Sequence, residues 1–310
     1  MVTALVLGAN GFVGQWLARE LREHGYRVCA SDVQPKPSTW LVCDFYQSSN
    51  LLEVDTLAHL FEVTQPNQVY NLAAVSSVGQ SWRNPALTMR VNVEGTVNLL
   101  EVCRTMDSKP KVLLVGSSEE YAPSGEPLSE DSPLAATNPY GISKEAQGRI
   151  ADMYFREYNL PVYRVRAFNH TGPGQASAFV LPSWCRQTAE IERSGQPGSI
   201  RVGNLEVSRD FSDVRDVVRA YRMLMESDCA GEVFNVGNGI SRPLRELLDL
   251  IISFCSQEVT VEVDPVLLRP ADNPVISCDA SRIESALGWK PSFPIESTLY
   301  DLFSSFLMCE

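Results

Sequence analysis

Histidines, paired cysteines and basic residues are all scarce in this sequence. The 310 residues include three histidines, which lie far apart and show no metal-ligand spacing, so a catalytic metal is disfavoured. The eight cysteines stand singly, without a Cys-x-x-Cys pair. That pattern is typical of reduced thiols in a cytoplasmic protein rather than of disulfides or structural zinc. We therefore predict a cytoplasmic protein with no bound metal.

Lysine and arginine together number 26 against 38 acidic residues, which gives a formal net charge of -12. Nucleic acids and anionic membranes attract clustered cations, so this balance argues against both as partners. Long apolar runs are also lacking. The apolar stretch at residues 2–7 is too short to span a membrane, and no basic segment precedes it as one would in a signal peptide. An anionic ligand would have to be held by a few placed arginines or lysines.

Short apolar runs alternate with helical patterns through the first half of the chain. This alternation is typical of a doubly wound α/β fold, a parallel sheet with helices on both faces and ligands at the carboxyl ends of the strands. The predicted strands are residues 4–7, 27–31, 40–43, 68–72, 111–116 and 162–167, and the predicted helices are 13–24, 56–64, 85–105 and 139–158. We expect one domain over residues 1–168.

Beyond residue 168 the alternation breaks into a loop rich in glycine and proline. The pattern then predicts a helix at 179–193, short strands within 199–211, a helix at 214–225 and a strand at 233–236. Two further helices and a proline-rich stretch follow residue 242. We expect residues 212–240 to return to the main sheet, and residues 169–211 and 241–310 to form a smaller α/β lobe.

A glycine-rich turn follows the first predicted strand. Gly8, Gly11 and Gly14 form a G-x-x-G-x-x-G pattern that opens a helix, and glycine there lets the backbone approach a pyrophosphate at the helix N-terminus. Asp32 ends the second strand, where a carboxylate accepts hydrogen bonds from an adenosine ribose. This carboxylate would repel the extra phosphate of NADP, which favours NAD(H), while the nearby Lys36 keeps NADP(H) open.

Tyr140 and Lys144 stand four residues apart at the start of a predicted helix, so both side chains project from one face. A neighbouring ammonium stabilises a phenolate and makes the tyrosine a proton donor and acceptor nearer neutral pH. Alone, the pair could equally be a helix start with a surface lysine. However, the fifth strand ends at Ser117, whose hydroxyl could stabilise the charge developing on a substrate carbonyl. The three residues together indicate hydride transfer.

Several motifs together resemble the extended short-chain dehydrogenases/reductases, or NAD-dependent epimerase/dehydratase family, over essentially the whole chain. The resemblance implies a Rossmann-like fold, NAD(P)-dependent chemistry by Ser117, Tyr140 and Lys144, and a homodimer formed through the helices at 85–105 and 139–158. The surplus apolar surface of these two helices could equally be core that faces the sheet. The motifs are Gly8-x-x-Gly11-x-x-Gly14, Leu72-Ala73-Ala74, Asn92-x-x-Gly95-Thr96, Gly116-Ser117-Ser118, Tyr140-x-x-x-Lys144 and Arg209-Asp210-Phe211-x-Asp213-Val214-x-Asp216.

The residues expected to bind the cofactor include Asp44 and Phe45, which could contact the adenine, and small residues where the cofactor crosses the sheet. For Ala73 and Ala74, simple packing is nearly as good an interpretation. The full set is Gly8, Gly11, Phe12, Val13, Gly14, Asp32, Asp44, Phe45, Leu72, Ala73, Ala74, Asn92, Tyr140, Lys144 and Phe168.

Segments 76–82, 117–121, 169–175, 202–205 and 268–270 are most similar to the branch of the family that acts on GDP-mannose derivatives. In such relatives an asparagine and two arginines hold the substrate diphosphate, which implies Asn169, Arg209 and Arg269 here. The two arginines could instead form salt bridges with nearby aspartates. The substrate-binding set is Ser76, Ser77, Ser118, Asn169, Val202, Asn204, Arg209, Arg269 and Asp272.

Glu119 decides between two reactions within that branch. A 4,6-dehydratase needs a carboxylate near its catalytic hydroxyl, and Glu119 occupies that place, but the double glutamate at 119–120 resembles the reductases more. We therefore predict NAD(P)H-dependent reduction of the 4-keto group of GDP-4-dehydro-6-deoxy-D-mannose to a GDP-6-deoxy-hexose of the GDP-D-rhamnose type. A GDP-mannose 4,6-dehydratase, a 4-epimerase or, from a different class, a non-catalytic dinucleotide-sensing regulator remain as alternatives.

Overall fold

The computed structural model describes residues 1–268 and 273–308. Its strands are distributed along the whole of these ranges. In chain order they are β1 (Thr3–Leu7), β2 (Arg27–Ser31), β3 (Phe45–Tyr46), β4 (Gln68–Asn71), β5 (Lys111–Ser117), β6 (Val162–Ala167), β7 (Asn169–Thr171), β8 (Gly198–Val202), β9 (Ser208–Asp213), β10 (Val233–Val236), β11 (Ser241–Pro243), β12 (Val259–Val263) and β13 (Val275–Ile276).

The helices connect these strands and cover both faces of the main sheet. They are α1 (Phe12–Glu23), α2 (Val54–Thr64), α3 (Val78–Arg83), α4 (Pro85–Met89), α5 (Gly95–Thr105), α6 (Pro139–Tyr158), α7 (Val180–Ser194), α8 (Val214–Glu226), α9 (Leu244–Ile252), α10 (Ser281–Leu287) and α11 (Ile295–Leu307). A π-helical segment, Arg90–Glu94, joins α4 to α5, and a 3₁₀ turn, Ser118–Glu120, follows β5.

Seven parallel strands form the main sheet, in the order β10-β6-β5-β4-β1-β2-β3. One apolar cluster packs α1 and α8 against one face, and a second packs α2, α5 and α6 against the other. The chain reverses its direction of winding between β1 and β4, and such a switch point opens a crevice at the carboxyl ends of the strands. The predicted doubly wound, Rossmann-like fold is therefore confirmed.

The smaller lobe surrounds β9, which lies between β11 and β13 and also pairs with β7. A third apolar cluster, with side chains from α7, α9 and α11, fills the lobe. Ile283 of α10 and Trp289 belong to the apolar cluster of the main sheet although they lie beyond residue 241, and the domain boundaries stay a prediction. Among the described residues after 242 the structure has three α-helices, where two helices were predicted.

Two predicted elements are wrong in detail. The apolar run at 40–43 is not the third strand: Trp40 and Val42 are exposed, and the strand is the short β3 that follows it. The predicted helix at 85–105 is broken by the π-helical turn into α4 and α5. Both errors come from reading apolar periodicity as burial, since an exposed apolar run and an extra residue in a helical turn leave little trace in the pattern.

Candidate active site

The glycine turn brings two backbone segments unusually close together. Gly8 has φ of 77°, and a Cβ added to it would lie 2.7 Å from the backbone nitrogen of Ala73. A Cβ at Gly14 would lie 2.6 Å from the carbonyl oxygen of Gly8 and 2.7 Å from Ala9. Glycine is therefore required at both positions, one for the contact with the segment after β4 and the other for packing of α1 on the turn.

The N-terminus of α1 is suited to hold a pyrophosphate. Gly11 is its N-cap residue and provides no side-chain hydrogen bond to the first turn, where Phe12 and Val13 begin the helix. Uncapped N–H groups and the positive end of a helix dipole favour an anion. The residues present thus fit a dinucleotide at this turn, in the place that the sequence predicted.

Asp32 lies directly beside the glycine turn. Its carboxylate accepts a hydrogen bond from the backbone N–H of Asn10 at 3.1 Å, and the Asn10 side chain donates to the Gln34 side chain, the Lys36 carbonyl and the Tyr46 hydroxyl. These bonds tie the loop after β2 to the turn. The carboxylate is held where an adenosine ribose would be expected in such a fold.

Asp44 and Phe45 make contacts within the protein at the edge of the sheet. The Asp44 carboxylate accepts the backbone N–H of Val28 at 2.8 Å and forms an ion pair with Arg22. Phe45, the first residue of β3, packs against the second apolar cluster. Their contact with the adenine stays a prediction.

Asn92 lies in the π-helical segment and is 1% exposed. Its amide group donates to the Val75 carbonyl at 3.1 Å and to the Ser143 hydroxyl at 2.9 Å, and it accepts the Val75 N–H at 2.8 Å. The three hydrogen bonds of this side chain thus connect the segment after β4 to α6. These bonds support the two segments that line the crevice, and the cofactor contact of Asn92 stays a prediction.

The side chains after β4 divide between packing and surface positions. Leu72 and Ala73 pack against the two apolar clusters of the main sheet, and Ala74 is half-buried. Ser76 is exposed, while Ser77 caps α3 by accepting the N–H of Gln80 at 3.2 Å. The packing interpretation that the sequence left open for Ala73 agrees with its contact with Gly8.

Ser117, Tyr140 and Lys144 come together at the carboxyl end of β5. The Ser117 side chain interacts with the Tyr140 hydroxyl, and the Lys144 ammonium lies 5.9 Å from the centre of the Tyr140 ring. Lys144 Nζ donates to the Val115 carbonyl at 2.8 Å and to the Gln147 side chain at 3.2 Å. The structure therefore assembles the three residues that the sequence selected for hydride transfer.

Burial controls the protonation of this cluster. Desolvation raises the pKa of Tyr140 far above its ordinary value, and the hydrogen bond with Ser117 opposes it only partly. Desolvation also lowers the pKa of Lys144 to about 8, and the Glu120 carboxylate opposes that change. Tyr140 is therefore a protonated phenol near neutral pH, which is the form of a proton donor.

Asn138 and Ser81 position Tyr140, although the sequence reasoning did not select either residue. The Asn138 side chain caps α6 through the N–H of Gly141 at 2.9 Å, and the Ser81 hydroxyl accepts the Tyr140 N–H at 3.2 Å. Glu119 accepts a hydrogen bond from Asn138 at 2.7 Å. An asparagine followed by proline at the start of a helix is a recognisable N-cap signal, so Asn138 could have been found from the sequence.

The segment after β6 faces the glycine turn. The His170 ring stacks on Phe12, with centroids 6.3 Å apart, and its Nδ1 donates to the Phe168 carbonyl. Burial lowers the pKa of His170, so its ring is neutral. Phe168 is 2% exposed within a fourth apolar cluster, and its contact with the cofactor stays a prediction. Asn169, half-buried, begins β7 and pairs with Phe211 of β9.

The lobe contains a cavity of about 220 Å³. Arg209 and Phe211 of β9 line it together with Arg242 of β11, which the sequence reasoning missed because nothing local marks that arginine. Arg209 also donates to the backbone carbonyls of Ser208 and Asn273 at 2.8 and 2.7 Å. Arginines from two neighbouring strands thus reach one cavity.

Other residues predicted to bind substrate are distributed around the lobe and the main sheet. Val202 is fully buried in the lobe core, which excludes a contact from its side chain, and Asn204 accepts the N–H of Glu206 at 2.9 Å. Ser118 is 5% exposed in the 3₁₀ turn after β5. Arg269 and Asp272 lie outside the described residues.

Among residues 1–268 and 273–308, no group of three His, Cys, Asp or Glu side chains could hold a metal ion. Within the same ranges, none of the helices combines the length and apolar character needed to cross a bilayer.

Comparison with known proteins places the chain among nucleotide-sugar enzymes. The family model described as GDP-mannose 4,6 dehydratase matches residues 5–302. The chain is 32% identical over 302 residues to GDP-6-deoxy-D-mannose reductase of Pseudomonas aeruginosa, covering 96% of this chain and 95% of that protein. It is 26% identical over 349 residues to GDP-mannose 4,6-dehydratase of Vibrio cholerae, covering 97% and 92%.

A solved structure extends the likeness to three dimensions. The structure of RMD from Pseudomonas aeruginosa complexed with NADPH superimposes with a TM-score of 0.87 and 31% identity, covering 99% of each chain.

Proposed function

The chain belongs to the GDP-mannose 4,6-dehydratase family of extended short-chain dehydrogenases/reductases, and on that premise we propose that it reduces the 4-keto group of GDP-4-dehydro-6-deoxy-D-mannose to a GDP-6-deoxy-hexose of the GDP-D-rhamnose type. The buried cluster of Ser117, Tyr140 and Lys144 at the carboxyl end of β5 carries the proposal. The likeness to a GDP-6-deoxy-D-mannose reductase supports the choice of substrate.

The mechanism follows from the protonation of the buried cluster. A nicotinamide dinucleotide held at the glycine turn and Asp32 would supply the hydride for the C4 carbon of the sugar. Ser117 donates a hydrogen bond to the C4 oxygen, and Tyr140 gives that oxygen its phenolic proton as negative charge develops there. Lys144, held against the Val115 carbonyl, keeps a positive charge near the tyrosine and offers hydrogen bonds to the cofactor ribose.

Burial raises the pKa of Tyr140 and so favours the protonated phenol, which is the form that donates a proton in the proposed reduction. A dehydratase or epimerase would begin with the opposite transfer, from the C4 hydroxyl to the tyrosine.

We place the nucleotide diphosphate of the substrate at the lobe cavity. Guanidinium groups bind phosphate oxygens in pairs of parallel hydrogen bonds, and Arg209 and Arg242 both line this cavity. Arg242 now forms ion pairs with Glu246 and Glu296 at 2.6 and 3.3 Å, which a diphosphate would have to replace. Asn169 adjoins Phe211, so β7 connects the cavity with the end of β6.

A GDP-mannose 4,6-dehydratase remains the second candidate because of Glu119. Its backbone N–H donates to the Ser117 hydroxyl at 3.2 Å, and its carboxylate is half-buried beside Asn138. The same carboxylate could remove a proton from the sugar in a dehydration. The 26% identity with the Vibrio cholerae dehydratase supports this candidate over an unrelated activity.

Incubation of the purified protein with GDP-4-dehydro-6-deoxy-D-mannose and either NADH or NADPH tests the proposal. A fall in nicotinamide absorbance, with a 6-deoxy-hexose as product, is the expected result. Incubation with GDP-mannose and no added reductant is the matching control. Conversion of GDP-mannose in that control, with no reductant consumed in the first reaction, would replace the proposal with the dehydratase.

The chain binds a nicotinamide dinucleotide, and we propose NADH as the preferred form. Asp32 supports this preference, because its carboxylate lies beside the turn and would meet the 2′-phosphate of NADP with like charge. The Pseudomonas aeruginosa relative was solved with NADPH, so the assay compares both reductants.

We further propose a homodimer formed by the surface of α4 and α6. Four large apolar side chains on these helices are exposed, namely Leu87, Ile142, Met153 and Tyr158. Burial of this surface against a second copy would remove it from water. Light scattering coupled to size-exclusion chromatography measures the mass, and a monomer at micromolar concentration would refute the proposal.

A further inference from the structure

Glu120 is a buried carboxylate that the mechanism above leaves unused. It is 3% exposed, its Oε1 accepts the backbone N–H of Ser117 at 2.7 Å, and its Oε2 accepts from Arg166 Nε at 2.9 Å. The structure makes room for it with Gly116, where a Cβ would collide with Oε1. Burying a charge is expensive unless it is paired, so a carboxylate at this depth calls for an explanation.

A small cavity separates Glu120 from Lys144. Its volume is about 20 Å³, enough for about one water molecule, and its lining includes Glu120, Lys144, Gln147, Arg164 and Arg166. Both hydrogen-bond acceptors of Lys144, the Val115 carbonyl and the Gln147 amide, are neutral. The negative charge facing the ammonium across this cavity therefore comes from Glu120.

The other charged groups around the cavity have their own partners. Arg166 pairs with Glu120 and also donates to the Tyr121 hydroxyl at 3.0 Å. Arg164 lies 3.5 Å from Asp152 and donates to the carbonyls of Gly148 and Gly231. Tyr140, on the helix that carries Lys144, is neutral near pH 7 because burial raises its pKa. The local balance is thus two arginines and one lysine against Glu120 and Asp152.

We propose that Glu120 is a positioning residue of the hydride-transfer site. One carboxylate oxygen fixes the Ser117 main chain, and the negative charge of the carboxylate stabilises the positive charge of Lys144. The inference rests on the proposed function for its chemical meaning. It assigns to Glu120 a role distinct from that of its neighbour Glu119, whose carboxylate bonds to Asn138 at the other side of the turn.

Glu120→Gln separates the two parts of this role. Glutamine keeps an oxygen that can accept the Ser117 N–H but removes the negative charge. Glu120 raises the pKa of Lys144 against the effect of burial, so its loss should lower that pKa further. We expect the Lys144 pKa to fall by about one pH unit, the usual effect of losing one nearby opposite charge. The alkaline limb of the kcat profile should move to lower pH by the same amount.

The pKa of Lys144 can be followed directly by NMR of the protein labelled with ¹³C-lysine. The chain has five lysines, so the Cε signals are few, and loss of one signal in Lys144→Arg assigns it. Glu130→Gln is the matched control, because Glu130 is also buried and accepts the Asn235 N–H at 2.7 Å, but it does not line the cavity. This control should leave the Lys144 pKa unchanged.

Glu120→Asp provides the second variant. Its shorter side chain keeps the charge but withdraws it from Ser117 and Lys144, so its Lys144 pKa should lie between those of the wild type and Glu120→Gln. If Glu120→Gln does not fold, the Lys144 pKa of Glu120→Asp tests the inference alone, and a value below that of the wild type supports it. An unchanged Lys144 pKa in the folded variants, or an equal fall in Glu130→Gln, would overturn the inference.

The two proposals can fail separately. A wild-type protein that oxidises no NADH or NADPH with the keto sugar, but whose Lys144 pKa depends on Glu120, would refute the proposed function alone. An active reductase whose Lys144 pKa is the same in the wild type and in Glu120→Gln would refute this inference alone.

Discussion

The edge of the main sheet and the lobe cavity are built in different ways. Ser117, Tyr140 and Lys144 all lie within residues 115–144. Most of the groups that hold them belong to the same stretch of the chain, among them the Val115 carbonyl, Glu120 and Asn138. The cavity draws its lining from β9, β11, α9 and α11, between residues 209 and 296, and its arginines are held by other side chains or by loops. On the proposed function, the chemistry would depend on a short, buried frame, whereas substrate choice would depend on charges assembled from distant segments.

The sharpest way to test this contrast is Tyr140→Phe. Removing the proton donor should lower kcat about a thousandfold with a small change in KM, because general acid catalysis contributes on the order of 10²- to 10⁴-fold. Steady-state kinetics at saturating reductant measures it. Tyr158→Phe, on the exposed end of the same helix, should retain full kcat. Turnover of Tyr140→Phe within tenfold of wild type would remove Tyr140 from the reaction.

Arg209→Lys tests the lobe in the same assay. Lysine keeps the charge but loses the paired hydrogen bonds, so KM for the GDP-sugar should rise about 10- to 100-fold while kcat changes little. Arg201→Lys, on the exposed face of β8, serves as the control. If kcat of Arg209→Lys fell by as large a factor as KM rose, the lobe cavity and the edge of the main sheet would not have separate roles in binding and chemistry.

Asp32→Asn tests a third part of the protein, the cofactor turn. Asparagine can still accept the Asn10 N–H but no longer repels a 2′-phosphate, so the ratio of kcat/KM for NADPH to that for NADH should rise about tenfold. The surface variant Asp55→Asn should not change the ratio. An unchanged ratio in Asp32→Asn would mean that the carboxylate does not discriminate between NADH and NADPH.

The smallest expected effect concerns stability at the buried frame. The pKa of Lys144 is lowered to about 8 in the folded protein, below the ordinary value of about 10.4 in the unfolded chain. The unfolded chain therefore binds more protons between these values, and stability rises with pH across this window. Below pH 8 the charged lysine costs stability.

Lys144→Met should thus abolish turnover yet raise the free energy of unfolding by about 1 kcal/mol at pH 6.5, with the gain vanishing toward pH 10. Urea unfolding at both pH values measures it, with Lys109→Met at the surface as the control. A variant less stable than wild type at pH 6.5 would show that Lys144 is a structural residue as well.

Several parts of the fold were predictable because their signals are local. Helix α6 has the predicted bounds, since asparagine and proline mark its start and Asn159 in a left-handed conformation ends it. β2 and β6 also have the predicted bounds, because buried strands of a parallel sheet are continuous apolar runs. The exposed run before β3 has the same composition without the burial, and composition alone cannot separate them.

The site residues divide in the same manner. Gly8, Gly14, Ser117, Tyr140 and Lys144 stand in short motifs, and the structure brings the last three together. For Asp44, Asn92, Phe168 and Val202 the side chains turned out to pack or bond within the protein, and that depends on neighbours far away in the sequence.

The sequence by itself determined the family, the glycine turn and the choice of Ser117, Tyr140 and Lys144 as candidates for hydride transfer, because short local motifs carry each of them. Only the tertiary structure decided which glutamate faces Lys144 and which arginine joins Arg209 at the cavity. Adjacent residues such as Glu119 and Glu120 look alike in the sequence, but the turn after β5 sends one to Asn138 and buries the other against Ser117 and Arg166. Burial, pairing and pKa are set by that three-dimensional environment.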